Sequence, residues 1–477
     1  MSNTARTVKA HPFAVLTYLK PFVFVLLIPL IRAVLRYIMD GEITNVLFAE
    51  SFAAAAIITY AVIRWRVFSI TVKDGFVEIQ SGVFNRKVAH IDINRISTVE
   101  TTRNPFDVVF GSATLRINTE AGSIRRADYE MKVSARDADY ITEVISTPGK
   151  RIKWKFSVLR VAIMAAATSS AFTGMIIAVP LINQSGNLLG LALEELMLQR
   201  INEVGELFGR YIPPIVNTIT IIFLLCYFLA FIYSLLKFVN FKLTLTGSDI
   251  EISSGFFSRR RIRFRAEAVN DVCIEQSFIL RLFRRCMLRV EIGGYGQDKG
   301  ERAIVVPSVR KKDAVDQFKL IFPTVTIDNV AVRPHNKSRA RFLSLPLGWM
   351  MALLGGMAVL WAVFVSFRDL ILFLSLIGIT ILLYFCNLAD ENYKNGRIGI
   401  SKIITARYSR WNKLCETYCD ASRVGVITVL KLPLDKLYDT CNVRITVCSE
   451  AADSILVKHI PYKELIEQLD RQYKIYE

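Results

Sequence analysis

The sequence contains little histidine and shows no arrangement of residues that indicates a reaction. Its four histidines are dispersed: His11, His90, His335 and His459. None stands at a spacing that pairs a base with a nucleophile, so we predict a non-enzymatic protein with no catalytic residues and no cofactor. Gly293-Gly294-Tyr295-Gly296 superficially resembles a phosphate loop. It lacks the Lys-Ser/Thr ending and a following helix, and we interpret it as a hairpin turn.

The eight cysteines form neither a secreted disulfide framework nor a zinc motif. Cys226 and Cys386 lie inside apolar runs, where cysteine serves as a small apolar side chain. The possible metal ligands near the C-terminus are Cys415, Cys419, Cys441, Cys448 and His459. Their spacing fits no closed zinc site, and we predict no metal. No cleavable signal peptide is apparent, because the polar N-terminus leads into a long apolar segment that is followed by a second one.

Acidic residues are scarce relative to basic ones. The 42 Asp and Glu stand against 60 Lys and Arg, which gives a net charge of +18 and a pI near 9.6. This balance favours anionic partners, either lipid headgroups or nucleic acid. A hydrophobic content of 52% and a mean hydropathy of +0.36 indicate a membrane protein. Nucleic-acid-binding proteins of this charge seldom carry several spanning helices, so we predict anionic membrane lipids as partners and no nucleic acid.

Three pairs of apolar segments are long enough to cross a bilayer, which takes about 20 residues. The pairs are Thr17–Ile38 with Ile43–Ile63, Val161–Asn183 with Tyr211–Leu236, and Leu343–Phe367 with Leu370–Ala389. They predict six transmembrane helices in three hairpins. Within the second pair, Leu188–Tyr211 shows amphipathic helical spacing, which indicates a helix on the outer membrane surface or a solvated connecting helix.

The charges that flank these segments predict the topology. Basic residues such as Lys150, Arg151 and Lys153 border the ends next to the soluble regions, whereas acidic residues such as Glu194 and Asp369 lie at the hairpin tips. The positive-inside rule then places the N-terminus and all soluble domains in the cytoplasm. We predict a multi-pass protein of the cell inner (cytoplasmic) membrane.

An internal repeat organises the soluble part of the chain. The stretch Phe68–Lys87 recurs without a gap as Phe241–Arg260, 173 residues later. A third, weaker copy follows, in which Arg423, Ile427 and Arg444 correspond to Arg95, Val99 and Arg116 at a constant offset of 328. Alternating polar and apolar residues predict a β-meander at the start of each copy. Helical spacing predicts a closing helix at the end of each copy, over Ser134–Ile145, Val309–Phe322 and Pro461–Tyr476.

The repeat resembles a known family through a shared pattern. Ser81, Gly82, Phe84 and Arg86 of the first copy recur as Ser254, Gly255, Phe257 and Arg259 of the second. With the later LR[IV] triplet and the preceding apolar hairpins, this pattern resembles the bacterial pleckstrin-homology-like domains of the bPH2 (DUF304) membrane proteins. In the third copy Arg410 and Asn412 replace Gly82 and Phe84. The resemblance implies a fold and a membrane location but no reaction.

The predicted fold is an α+β membrane protein that combines six transmembrane helices in three hairpins with three PH-like antiparallel β-units, each closed by a C-terminal helix. The predicted domains are an N-terminal tail and hairpin 1 at 1–66, PH-like domain 1 at 67–149, hairpin 2 with its external connection at 150–237, PH-like domain 2 at 238–325, a linker and hairpin 3 at 326–390, and a diverged PH-like domain 3 at 391–477.

The sequence RRRIRFR, Arg259 to Arg265, is the most pointed candidate site. As a strand it places alternate arginines on one face, with Ile262 and Phe264 toward the core. The candidate lipid-binding residues are Arg259, Arg261, Arg263, Arg265, Arg281, Arg284 and Arg285. Each basic residue near an anionic surface contributes about 1 kcal/mol of attraction. The alternative is a solvated edge strand whose charges block pairing between sheets.

A second candidate lies in the first hairpin, where Arg32 and Glu50 interrupt apolar helices. With Gly41 as the tip both residues lie at similar depth, so we predict an intramembrane ion pair facing the bundle interior. The alternative is a shallow hairpin in which both side chains reach the interface separately.

Two functions follow from these observations. The first is a non-enzymatic membrane protein whose cytoplasmic PH-like domains act as scaffold, oligomerisation or anionic-lipid-binding modules in cell-envelope maintenance, as a homo-oligomer or with a partner membrane protein. The second is a transporter or lipid-handling protein that uses the helices as a pathway. Charges inside the helix bundle favour transport, whereas charges at the helix ends favour anchoring.

Overall fold

The computed structural model describes residues 6–23, 46–73, 75–119, 128–170, 214–293, 302–323, 331–410, 413–448 and 454–473, with 25, 27, 31, 38 and 295 as single positions. The chain forms two compact bodies. The first comprises Met1–Trp154, Lys242–Ala268 and Gly293–Gln297, and the second comprises Lys155–Phe241, Val269–Ile292 and Asp298–Glu477. The second sequence repeat therefore contributes strands to both bodies.

A four-stranded antiparallel sheet in the order β1-β2-β3-β4 begins the first body. Its strands are β1 (Arg6–Lys9), β2 (Ser69–Lys73), β3 (Phe76–Ser81) and β4 (Lys87–Asp92). Alternation along β2 and β3 turns Ile70 and Ile79 into the core, where both are fully buried. The meander predicted for the first repeat is present.

A seven-stranded sheet completes the strands of the first body, in the order β7-β6-β5-β11-β10-β9-β8. Its strands are β5 (Ile96–Arg103), β6 (Ser112–Thr119), β7 (Tyr129–Ser134), β8 (Arg151–Lys155), β9 (Lys242–Thr246), β10 (Asp249–Ser254) and β11 (Arg259–Arg265). Strands of the first repeat lie on one side and strands of the second on the other. The two repeats are joined where β5 pairs with β11.

Glycine explains the turn that precedes the third strand of the first two repeats. Gly82 has a φ of +102° and Gly255 has a φ of +113°. A Cβ at Gly82 would lie 2.0 Å from the Asn85 carbonyl oxygen, and one at Gly255 would lie 1.8 Å from that of Ser258. No other residue fits this turn, which accounts for the shared Ser-Gly pair.

The helices of the first body are α1 (Ala14–Leu19), α2 (Val46–Val67), α3 (Pro105–Val109) and α4 (Ala135–Val144). Ser134 caps α4 by accepting a hydrogen bond from the Asp137 backbone N–H. Ile141 of α4 is fully buried with Leu115 and Ile117 of β6, so this helix covers the core. The closing helix predicted for the first repeat is confirmed.

The second body contains a six-stranded sheet in the order β14-β13-β12-β17-β16-β15 and a three-stranded sheet in the order β18-β19-β20. The strands are β12 (Val269–Ser277), β13 (Arg285–Ile292), β14 (Ala303–Arg310), β15 (Arg397–Gly399), β16 (Ile403–Arg410), β17 (Lys413–Asp420), β18 (Val424–Leu430), β19 (Thr440–Val447) and β20 (Ile455–Pro461). Here the second and third repeats are joined where β12 pairs with β17.

The helices of the second body are α5 (Val158–Thr168), α6 (Pro214–Phe238), α7 (Phe278–Leu282), α8 (Ala314–Ile321), α9 (Arg339–Val363), α10 (Arg368–Asn395), α11 (Pro433–Leu437) and α12 (Tyr462–Tyr473). The closing helix predicted from Val309 begins later than expected, because β14 runs to Arg310. The closing helix of the third repeat is α12, within the predicted range.

The prediction of six transmembrane helices is wrong. Within the described ranges, two helices are long and apolar enough to cross a membrane, Arg339–Val363 and Leu374–Asn395. The apolar helix Val158–Thr168 is shorter, and so is Ile222–Phe238, the part of α6 whose side chains the structure describes; α5 ends at Thr168, because Ser169 adopts an extended conformation. At about 1.5 Å per residue, the 11 residues of α5 are far too short for a bilayer core. A continuous apolar run in the sequence was therefore not a continuous helix.

Candidate functional site

The arginine strand β11 forms as predicted, with Ile262 and Phe264 buried. Its arginines, however, contact the first repeat. The Arg261 guanidinium lies 2.9 Å from the Asp139 carboxylate on α4, and Arg263 donates to the Thr142 carbonyl oxygen at 2.7 Å. Arg265 donates to the carbonyl oxygens of Ile93 and Asn94, both at 3.0 Å. Arg259 is exposed.

Backbone pairing between β5 and β11 explains these contacts. The two strands are antiparallel, with Val99 opposite Arg263 and Thr101 opposite Arg261. Within this junction the Arg260 guanidinium lies 2.6 Å from Glu100, whose side chain is 8% exposed. Sequence reasoning missed this partner strand. Two acidic residues of the first repeat, Glu100 and Asp139, could have indicated this pairing, because their carboxylates complement the arginines of the second repeat.

A second junction, between β12 and β17, has different side chains. Lys413 of β17 and Arg289 of β13 lie 2.9 Å and 3.0 Å from the carboxylate of Glu275, which is 5% exposed. Burial would raise the pKa of Glu275, but Arg289 and Lys413 outweigh it and hold that pKa below its ordinary value of 4.5. The carboxylate is therefore ionised inside the junction at neutral pH.

A buried ionic cluster lies beside Glu275 on the same strand. The Arg302 guanidinium lies 2.6 Å from Asp271 on β12 and 3.6 Å from Glu291 on β13. All three side chains are at most 8% exposed. Burial raises the pKa of Asp271 to about 6, and Arg302 acts against that rise. The cluster ties the central strand of this sheet to its neighbours.

The two junctions have the same register. Val99 lies opposite Arg263 in the first junction, and Val272 lies opposite Tyr418 in the second. By the repeat offsets, Val272 corresponds to Val99 and Tyr418 corresponds to Arg263. The fourth strand of one repeat therefore pairs with the third strand of the next in an identical way, although the side chains at the two junctions differ.

The remaining candidate arginines surround α7 in the second body. Arg281 pairs with Glu391 near the C-terminal end of α10 at 2.6 Å, which places α7 beside the end of a candidate spanning helix. Phe278, Leu282 and Phe283 are 58%, 71% and 53% exposed there. Exposed apolar side chains among arginines are typical of a surface that meets lipid headgroups.

A cleft lies at the base of α5 on this side of the body. It has a volume of about 270 Å³ and is lined by Arg160, Arg285, Val309, Arg310, Asp313 and Gln317. Three guanidinium groups and one carboxylate give it a positive balance. Such a cleft can hold a phosphate group, for which the arginine fork provides paired donors.

The third repeat makes a corresponding contact with a spanning helix. Asp435 of α11, the short helix that matches α7 in position, is fully buried and lies 3.3 Å from Arg341 at the start of α9. The His459 imidazole lies 3.2 Å from the same carboxylate. Burial lowers the pKa of His459, so the ring is neutral at neutral pH. These contacts fix the third repeat to the beginning of α9.

Several predicted residues take no part in a described site. Across the described ranges, no cluster of His, Cys, Asp and Glu could hold a metal ion. Arg32 lies outside the described residues, and so does the amphipathic stretch 188–211. Glu50 belongs to α2, but its side chain lies outside the described part of that helix. The Arg32–Glu50 ion pair stays a prediction, as does lipid binding by the strand arginines.

Comparison with known proteins gives one family and one curated relative. The family model described as "Bacterial PH domain" matches residues 13–148 and 194–322. The UPF0699 transmembrane protein YdbT of Bacillus subtilis (strain 168) is 21% identical over 321 residues, covering 60% of this chain and 62% of that protein. The match therefore spans less than two thirds of the relative. No solved structure matches.

Proposed function

The chain belongs to the bacterial PH domain family, and on that basis we propose that it is a non-enzymatic scaffold of the inner membrane. In this proposal its PH-like repeats lie in the cytoplasm and present β-strands for assembly in cell-envelope maintenance. The observation that carries the proposal is the pair of junctions, β5 with β11 and β12 with β17, which share one register. A chain that repeats a strand-to-strand contact is built to extend a surface.

The charge distribution of the two candidate spanning helices supports anchoring over transport. Arg339 and Arg341 lie in the first turn of α9, and Asp390, Glu391 and Lys394 lie near the end of α10. The stretches 343–367 and 370–389 carry no charge. A transport pathway would need polar groups at mid-depth, whereas an anchor needs them only at the interfaces.

Isolation of the full-length protein in mild detergent tests the scaffold proposal. We expect a defined protein assembly to co-purify with it. Reconstitution into proteoliposomes provides the opposing measurement, because substrate-dependent flux through the purified protein would overturn the proposal in favour of a transporter. Reporter fusions after Gly149, Asp328 and Glu477 should all report the cytoplasm, and a periplasmic report at any one of them would contradict the orientation.

A second candidate function is anionic-lipid binding, favoured by the cleft at the base of α5. Arg160, Arg285 and Arg310 converge there, beside the exposed apolar side chains of α7. The strand arginines are less suited to this role, because Arg261, Arg263 and Arg265 already bind groups of the first repeat. The lipid surface is therefore proposed around the cleft, with the strand residues as the competing candidate.

Thermal stabilisation of the purified full-length protein by phosphatidylglycerol, relative to phosphatidylcholine, separates the two sets of arginines. Replacement of Arg160, Arg285 and Arg310 by Gln should remove the stabilisation and its salt dependence. The matched control replaces Arg259, Arg261 and Arg265 by Gln and should leave the stabilisation intact. The reverse outcome would return the lipid site to β11, and equal stabilisation in all variants would reject both sites.

A further inference from the structure

Each repeat contributes two strands that can form a junction, its third strand and its fourth. Third strands are β4, β11 and β17, and fourth strands are β5, β12 and β18. Inside the chain β5 pairs with β11 and β12 pairs with β17. Among the described residues, β4 pairs with β3 alone and β18 pairs with β19 alone. Within the part of the chain that the structure describes, one third strand and one fourth strand therefore keep an open edge.

Burial separates these open edges from their counterparts in the junctions. The residues of β5 and β12 are almost all buried, whereas Gly425, Val426 and Leu430 of β18 are exposed. Val426 and Leu430 are 57% and 45% exposed, and Val88 of β4 is 48% exposed. The same strand of the fold is thus covered by a neighbour in two repeats and uncovered in the third.

The composition of β18 is that of a strand with a partner. Its sequence VGVITVL contains no charge and no proline. Open edges are usually protected by lysine, proline or a bulge in the strand. The bulge of β18, between Val424 and Val426, is no such device, because β5 and β12 have it at the equivalent place and pair nonetheless. An uncharged edge strand of seven residues, three of them exposed and four half-buried, is a template for another strand.

We propose that β18 of one copy of this chain pairs with β4 of a second copy, antiparallel and in the register of the two internal junctions. The repeat offsets then place Leu430 opposite Lys87 and Ile427 opposite His90. The internal counterparts of the first pair are Thr102 opposite Arg260 and Glu275 opposite Cys415. The contact is heterologous, since different surfaces of the two copies meet.

This assignment rests on the proposed scaffold function and names its partner as a second copy of the chain. The side chains give the contact a distinct character. Glu100 and Glu275 supply ion pairs to the internal junctions, but their equivalents in β18 are Thr428 and Leu430, which carry no charge. The contact between copies depends on backbone hydrogen bonds and apolar burial, so added salt should not dissociate it.

Disulfide trapping tests the register directly in the full-length protein in mild detergent. Two differently tagged variants are mixed, one with Lys87→Cys and one with Leu430→Cys, both in a Cys448→Ser background because Cys448 is exposed. We expect a crosslinked dimer carrying both tags under oxidising conditions. The control replaces Leu430→Cys by Val424→Cys, six residues out of register, and should give no such dimer.

Opposite charges at one position give a matched pair of variants. Leu430→Glu and Leu430→Lys both remove an exposed apolar side chain, but Glu would face Lys87 of the second copy with attraction and Lys would face it with repulsion. We expect assemblies, measured by light scattering, to persist in Leu430→Glu and to be lost in Leu430→Lys. Adding Lys87→Glu to each should reverse the two results.

Three results would overturn the proposal: monomers at all concentrations, equal crosslinking at both registers, or equal behaviour of the two charge variants. A crosslink from the Leu430→Cys position to another protein would assign the edge to a different partner. A monomer that still co-purifies with a defined partner would reject this contact and leave the scaffold function standing. Substrate-dependent flux in proteoliposomes, with the assembly intact, would reject the scaffold function and leave this contact standing.

Discussion

The two internal junctions have one backbone geometry and two kinds of side-chain chemistry. In the first, arginines of β11 that range from half-exposed Arg261 to buried Arg263 reach acids and carbonyl oxygens of the first repeat. In the second body, carboxylates of β12 are buried with Arg289 of β13 and with Arg302, which directly precedes β14. Because backbone hydrogen bonds set the register in both, the side chains were free to diverge. The junctions should therefore respond differently to the loss of a charge.

The largest loss of thermal stability is expected from Arg302→Leu. This change removes the guanidinium that pairs with buried Asp271 and also lies near Glu291, and breaking a comparable buried pair costs about 3–5 kcal/mol. At pH 8, above the pKa of about 6 of Asp271, thermal unfolding of the purified protein should shift sharply downward. Arg289→Leu is the matched control, since Glu275 retains Lys413 and the loss should be smaller. Equal losses of stability in the two variants would show that the buried cluster does not depend on Arg302 more than Glu275 depends on Arg289.

A smaller effect is expected from Glu100→Gln in the first junction. The neutral amide keeps the shape but removes the charge that faces Arg260, and hydrogen bonds to charged groups contribute about 1.5–3 kcal/mol. Proteolysis of the native protein should cleave near β5 and β11 faster than in the parent. Glu130→Gln serves as the control, because Glu130 pairs with Arg116 at a site that is 46% exposed. No difference between the two would argue against a stabilising junction pair.

Low pH should destabilise the second junction, because that junction contains the ionised carboxylate of Glu275. Its pKa is lower in the folded protein than its ordinary 4.5, so its contribution to stability is present above 4.5 and is lost as pH falls through the lowered value. The unfolding temperature should therefore decline below pH 4.5, and Glu275→Gln should flatten this part of the profile. A profile unchanged by the substitution would remove Glu275 from the acid response.

The smallest effect is expected from Arg261→Gln. Arg261 and its partner Asp139 are 43% and 49% exposed, and exposed pairs contribute about 0–1 kcal/mol. Thermal stability should change little, in contrast to the buried pairs of the second body. A loss as large as that of Arg302→Leu would mean that the first junction depends on its arginines after all.

Local features of the chain were predictable from the sequence. The alternation of polar and apolar residues predicts strand β11 and the meander of the first repeat, in which a glycine forms the turn. The N-cap serine and the helical spacing predict α4. All of these signals act over a few residues. The cross-repeat pairing was not predictable. Val99 and Arg263 are 164 positions apart, and nothing in the period of either strand specifies which edge it meets.

For the candidate sites too, the local features were predictable and the contacts between distant elements were not. The sequence identified the arginines of β11 and their alternation, and we predicted that they bind lipid. A period-two pattern shows which side chains share one face of a strand, but it does not show what that face contacts. Arg263 is buried only because Thr142 and Asp249 of other elements receive it. The membrane helices were overcounted because hydropathy does not detect where a helix ends, as it does after Thr168.

The shared register of the junctions has a consequence for how such a protein can change over generations. In solenoids each unit contacts its neighbours through one repeated interface, and stability is close to a sum over units and interfaces. Here a duplicated repeat would bring a third strand and a fourth strand that already fit both neighbours. A gene could therefore gain a unit without inventing a new contact, and the diverged side chains of the existing junctions show how each contact can then specialise.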